Sequence, residues 1–227
     1  MKVERISTGS EVLDELLNGG LEKSIITNVY GESGTGKTTF CVQVASAVAE
    51  NGGKVAYVDT EGGFSPERME QIANGEALEN LVIKNPVDFQ EQEKTIEGLN
   101  SIIESKDIEL VVVDSAVSLY RLEVNGDNAS DINQRLSQQL SELSKIARTH
   151  NIPIVITNQV YTSFDEEDLE LVGRDVPKYW SKCLLKVSEG KNRKIEVSKH
   201  RSIPKGRSAE FEIANEGIRS SEEGGLF

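Results

Sequence analysis

Cysteine and histidine are scarce in this chain, with two of each among 227 residues. Cys41 and Cys183 lie far apart, one in a predicted helix and one at the start of a predicted strand, which favours buried thiols over a disulfide or a metal site. His150 and His200 make no metal-binding pattern either. No apolar run reaches the roughly 20 residues that cross a bilayer, and Met1 to Arg5 leads into polar residues instead of a signal-peptide core. A cytoplasmic protein with no membrane contact is expected. Internal repeats and low-complexity segments are missing as well. Positive charge is in deficit: 25 Lys and Arg against 38 Asp and Glu leave a net charge of −13. A uniformly acidic surface repels phosphate, which argues against indiscriminate nucleic-acid binding. The exception runs from Lys178 to Arg207, where ten basic residues, among them Lys191, Arg193 and Lys194, meet only Glu189 and Glu196. A polyanion-binding face and a solvated hairpin surface both fit that segment.

What is present centres on Gly31-Glu32-Ser33-Gly34-Thr35-Gly36-Lys37-Thr38, between the apolar run Ile25 to Tyr30 and the helix-like stretch Thr39 to Glu50. All eight positions fit G-x-x-x-x-G-K-[ST]. In such a loop successive backbone N–H groups converge on a phosphate, and the helix that follows adds its positive end. Lys37 would reach the β/γ-phosphates and Thr38 would hold Mg²⁺, so ATP and Mg²⁺ are the expected ligands, with Thr39 opening the helix beside them.

The flanks build an α/β pattern. Thr8 and Glu11 have capping-box spacing ahead of an apolar stripe at Val12, Leu13, Leu16 and Leu17, predicting a short helix. Lys54 to Asp59 and Leu81 to Lys84 read as strands, and Gln90 to Glu104 as one crossover helix. Leu110 to Val113 is a continuous apolar run closing in Asp114, as expected of a strand buried on both faces and ending at the ligand edge, where Asp114 would be a second metal-binding group. Ser118 to Asp131 reads as a mobile loop, and Ile132 to Ala147 as a long amphipathic helix. Ile152 to Gln159 supplies another parallel strand, followed by a second loop from Tyr161 to Pro177. Short runs at Cys183 to Ser188, Lys194 to Lys199 and Ala209 to Ile213 predict antiparallel strands extending the sheet. The expected fold is a single doubly wound, mostly parallel α/β domain over residues 1–227.

Val58-Asp59-Thr60-Glu61-Gly62 with Ser65-Pro66-Glu67-Arg68, Val113-Asp114-Ser115-Ala116 and Thr157-Asn158-Gln159, together with the phosphate loop, resemble the ATPase core of the RecA/RadA recombinase superfamily, and within it the short archaeal paralogues. The resemblance covers nearly the whole chain. It implies a RecA-type fold, ATP and Mg²⁺ binding, and a role in homologous recombination and DNA repair. By motif, Glu61 matches the carboxylate that activates the attacking water, Arg68 the residue that packs on adenine, and Gln159 the amide that senses the γ-phosphate. Lys199-His200-Arg201 resembles the Lys-x-Arg finger that reaches a neighbouring subunit's nucleotide, which implies a homo-oligomer.

The departures from that pattern limit the expected activity. Loops after the Asp114 and Gln159 strands line the filament axis in such recombinases. Here the second holds Asp165, Glu166, Glu167, Asp168, Glu170 and Asp175 against Arg174, and the first offers Arg121 against Glu123, Asp127 and Asp131. Acidic loops repel a phosphate backbone. Tyr120, Tyr161 and Phe164 suit either base stacking or packing. The N-terminal helical DNA-binding domain of longer recombinases is not expected. The implied protein is a weakly hydrolysing ATPase that acts on DNA, a recombinase or a junction nuclease without efficient strand exchange. Its DNA contacts are expected at Lys191, Arg193, Lys194 and Arg121. An ATP-gated mediator without catalysis and a KaiC-like signalling ATPase are the alternatives.

Overall fold

The apolar runs pair into a sheet of ten strands in the computed structural model, which describes residues 3–73, 75–162, 169–173 and 175–221. In chain order, β1 (Arg5–Ile6) and β2 (Leu21–Glu22) form a separate antiparallel pair around helix α1 (Glu11–Leu16). Then come β3 (Ile26–Gly31), α2 (Lys37–Glu50), β4 (Lys54–Asp59), α3 (Pro66–Ile72), a 3₁₀ segment (Gly75–Asn80) and β5 (Leu81–Lys84). The chain continues through α4 (Phe89–Glu97), α5 (Leu99–Lys106), β6 (Ile108–Asp114), α6 (Ser118–Glu123), α7 (Ala129–His150), β7 (Ile154–Thr162), β8 (Leu169–Leu171) and α8 (Asp175–Trp180). It ends with β9 (Cys183–Ser188), β10 (Arg193–Lys199), β11 (Ser208–Ala214) and β12 (Gly217–Ser220).

The strand order is β12-β11-β10-β9-β3-β7-β6-β4-β5, with β8 paired to β7. From β9 to β5 all neighbours are parallel, and β10 to β12 are antiparallel. Alternation along the strands divides the core. Val29, Val55, Tyr57, Leu110, Val112 and Val155 face α1 and α2, whereas Ile26, Ala56, Val111, Val113, Ile154 and Ile156 face α4 to α7. A strand covered on both faces must be apolar at successive positions, which is why β6 and β7 read as unbroken hydrophobic runs.

Several sequence expectations need correction. Ser118 to Asp131 is largely helical: α6 buries Leu119 and Tyr120 against Phe89, and α7 has begun by Ala129. Polar composition hid a helix of six residues whose stability comes from packing. The single crossover helix is two, because the chain turns at Gly98 between α4 and α5. No capping box forms at α1. Ser10 is the N-cap without a side-chain bond, while the Thr8 amide and hydroxyl both donate to Asp14 Oδ1 at 2.7 Å. β9 runs parallel to β3 and only then meets antiparallel β10. The second loop contributes β8, antiparallel to β7, and α8; Phe164, Asp165, Glu166, Glu167, Asp168 and Arg174 lie outside the described residues. Both cysteines are buried thiols, as expected.

Candidate functional site

Register brings the sequence motifs to one edge. Gly31 pairs with Gln159 across β3 and β7, and Asp59 with Asp114 across β4 and β6. The C-terminal ends of four parallel strands therefore surround the start of α2, the edge where open parallel sheets bind ligands. A cleft of about 240 Å³ there is lined by Ser33, Gly34, Gly36, Lys37, Thr38, Thr39, Glu61, Asp114, Thr157, Gln159 and Ile213.

The loop is preformed. Gly34 and Gly36 have φ of 80° and 108°, the left-handed conformation that glycine adopts without penalty. Thr35 donates its hydroxyl to the Glu32 carbonyl at 2.9 Å, and Lys37 Nζ donates to the carbonyls of Gly31 at 3.1 Å and Glu32 at 2.7 Å. Helix α2 starts with no side-chain cap and no acid in its first turn, so its leading N–H groups and positive end stay available to an anion. Burial pushes the Lys37 ammonium pKa below the ordinary lysine value, against the pull of Glu61 and Asp114. Its hydrogen bonds go to neutral carbonyls, a triphosphate would give this desolvated cation a directly bonded anion, and the donor set fits that group.

Gly31 sets how closely strands pack here. A Cβ at this position would stand 2.1 Å from the Val187 carbonyl oxygen on β9. Gly31→Ala is therefore expected to displace β9 and cost about 3 kcal/mol, the upper end for overpacking a filled site. Urea denaturation measures this as a lower midpoint with an unchanged slope.

Asp114 is 4% exposed and accepts from Thr157 Oγ1 at 2.5 Å, from Tyr57 Oη at 3.2 Å and from the Thr38 hydroxyl. Burial raises its carboxyl pKa above the usual range, and these three hydrogen bonds oppose the shift. Thr38 and Asp114 thus meet as a hydroxyl and a carboxylate. That oxygen pair suits Mg²⁺, which takes one or two protein ligands and completes its shell with phosphate and water. Among the described residues no group of three or more His, Cys, Asp or Glu side chains is placed to hold a metal alone.

Glu61 is exposed at the cleft, where Oε1 accepts from Gln159 Nε2 at 3.0 Å. The turn that presents it hangs on Asp59, whose Oδ1 accepts from the amides of Glu61 at 3.2 Å and Gly63 at 3.1 Å, and whose Oδ2 accepts from Phe64 N at 2.9 Å. Asp59, Thr157 and Tyr57 were not singled out as site residues from sequence. An acid closing β4 two residues before Glu61 was the available signal for Asp59; the other two depend on strand register.

The remaining candidates do not line the cleft themselves. Arg68, on α3, donates to the carbonyls of Ala214 at 2.6 Å and Asn215 at 3.0 Å, tying α3 to the β11–β12 turn beside Ile213. Arg121 donates to Gln159 Oε1 at 2.7 Å, so it belongs with the cleft and apart from the basic hairpin. Lys191 sits in the β9–β10 turn, Arg193 bonds Glu189 at 3.2 Å and Lys194 bonds Glu196 at 3.2 Å. That turn follows the C-terminal end of β9, on the sheet edge that carries the phosphate loop. Lys199 lies at the opposite edge, pairing with Leu184 near the start of β9; its Nζ donates to the carbonyls of Lys178 at 2.7 Å and Ser181 at 2.9 Å. Arg201 forms an ion pair with buried Glu22. Neither reaches the cleft of its own chain.

Among the described residues no helix is long and apolar enough to cross a membrane. The chain is 40% identical over 215 residues to a Methanosphaera stadtmanae protein named DNA repair and recombination protein RadB, covering 91% of this chain and 92% of that one. A Thermococcus onnurineus protein of the same name is 39% identical over 222 residues, covering 94% and 96%. A solved structure described as the crystal structure of the RadB recombinase superposes with a TM-score of 0.81 at 39% identity, covering 95% of this chain and 99% of that one. The RecA-like fold expected from the motifs is thereby borne out. The Rad51 family model matches residues 1–221, and with a glycine loop, two acids and an amide assembled at one sheet edge, this chain belongs to the Rad51 family.

Proposed function

We propose that this protein is an ATP-binding, weakly hydrolysing accessory factor of homologous recombination and DNA repair. It would act on DNA and on a recombinase or a junction nuclease without efficient strand exchange. The observation that carries this reading is the convergence of Lys37, Glu61, Asp114 and Gln159 on a cleft at an uncapped helix start. The names of its relatives point to repair and recombination.

In this reading the amides from Gly31 to Thr39 and the Lys37 ammonium bind the phosphates, and Arg68 packs on the adenine. Thr38 and Asp114 would hold Mg²⁺, which supplies charge neutralisation at the phosphates. Glu61 orients the attacking water and takes its proton, while Lys37 and the helix start stabilise charge as the β–γ bond breaks. Gln159 orients Glu61. Lys199 and Arg201 would serve a neighbouring copy's site in a homo-oligomer, after giving up their own contacts to backbone carbonyls and Glu22.

Lys191, Arg193 and Lys194 are the proposed DNA contacts. Replacing all three by glutamine is expected to weaken single-stranded DNA binding and to reduce the slope of log affinity against log salt by about 2, at roughly 0.7 per phosphate contact. Fluorescence anisotropy titrations at several salt concentrations, with and without ATP, test this. Unchanged affinity and slope would remove the hairpin from the DNA surface. In the same preparations, strand exchange as efficient as that of a full-length recombinase would overturn the accessory reading.

A further inference from the structure

We propose that Arg121 is a positioning residue for Glu61, acting through the Gln159 side chain; the inference rests on the hydrolytic reading of Glu61. A closed ring of contacts carries it. Gln159 Nε2 donates to Glu61 Oε1 at 3.0 Å, and Gln159 Oε1 accepts from Arg121 Nη1 at 2.7 Å. Arg121 lies in the last turn of α6, one turn beyond Ser118. Ser118 Oγ meets Thr60 Oγ1 at 2.6 Å, and Thr60 is the residue before Glu61. Thr60 Oγ1 also approaches the Ser115 carbonyl at 2.8 Å and accepts from the Ser115 amide at 2.9 Å, so the start of α6 is fixed to the end of β4. β4, α6 and β7 are thus linked around Glu61: Gln159 on β7 bonds its carboxylate, and the contacts of Thr60 with Ser115 and Ser118 fix the residue before it.

The chemistry of an amide explains why the arginine matters. A glutamine side chain can turn over, exchanging a donor for an acceptor of nearly the same shape. Facing Glu61 with its oxygen, it would repel the carboxylate; facing with its nitrogen, it holds one carboxylate oxygen and leaves the other to water. Arg121 is donor-only and always charged, so it accepts just the second orientation, with Gln159 Oε1 turned toward it. A charged donor on the amide oxygen also polarises the amide and strengthens its N–H bond to Glu61.

Arg121 is exposed, so its removal leaves no buried group unpaired and the variants fold. Arg121→Gln is expected to lower kcat for ATP hydrolysis about tenfold, the effect of one charge-assisted hydrogen bond, with the Kd for ATP changed less than about twofold. Arg121→Lys, which keeps a cationic donor, restores most of the rate. The double variant with Gln159→Ala is no slower than Gln159→Ala alone, because both act through one side chain. Independently of turnover, the Gln159 side-chain amide signals in ¹⁵N spectra, assigned by their loss in Gln159→Ala, shift in both Arg121→Gln and Glu61→Gln. An unchanged kcat in Arg121→Gln, additive rate losses, or amide signals that respond to Glu61→Gln but not to Arg121→Gln would each overturn the inference. A wild-type protein that binds ATP without turnover would overturn the hydrolytic reading instead, and the amide signals alone would then decide whether Arg121 sets Gln159.

Discussion

Lys37→Ala is expected to lower ATP affinity at least about 100-fold, or about 2.7 kcal/mol, in the range for deleting a charged donor from a phosphate site. The ammonium is held by the carbonyls of Gly31 and Glu32, at the mouth of the loop, with its pKa pushed below that of free lysine by burial. A base whose folded pKa lies below its unfolded value of 10.5 costs stability at neutral pH, a cost relieved as pH rises through the folded pKa toward the unfolded one. Removing the charge should therefore leave the ligand-free protein as stable as before or more so, while binding collapses. Calorimetric titration with ATP and denaturant unfolding without it measure the two effects. Affinity retained in the variant would mean that the loop binds phosphate through its amides alone. Equal losses of stability and binding would assign Lys37 to the scaffold instead.

Glu61→Gln should separate binding from chemistry. The substituted amide keeps the shape of the carboxylate, and its oxygen can still accept from Gln159 Nε2, so the side chain stays in place. What it loses is basicity. Hydrolysis in single-turnover assays is expected to fall about 10³-fold, within the span for general bases, with ATP affinity within about threefold of wild type. A rate close to wild type would exclude Glu61 as the base. Repair supported equally well by the variant would make hydrolysis dispensable and favour an ATP-gated mediator over a working ATPase.

Much of the phosphate cradle was legible because its determinants are local. A glycine loop of fixed spacing between an apolar run and a helix needs no distant contact to be recognised, and Asp114 and Gln159 close apolar runs that read as strands, with Glu61 two residues past the end of another. The reading failed where local composition and tertiary packing disagree. Ser118 to Asp131 is polar enough to resemble a loop, yet Leu119 and Tyr120 are buried and fold the segment into α6. The role of Asp59 was half visible, as an acid in the right stretch without an assigned task. Thr157 and Tyr57 looked like ordinary strand residues until β6 paired with β7 on one side and β4 on the other.

By itself, then, the order of residues determined the alternation of strands and helices, the preformed loop and the identity of the groups at each strand end. Only the tertiary structure decided which of those groups meet. Parallel register set Gln159 beside Gly31 and Thr157 beside Asp114, and the packing of α6 brought Arg121 to Gln159. It also placed Lys199 and Arg201 at the far edge of the sheet, held by contacts within their own chain. The physical reason is range: backbone conformation and periodicity are set within a few residues, whereas a hydrogen bond such as that from Gln159 to Glu61 joins groups that only the register and packing of separate strands bring within 3.0 Å.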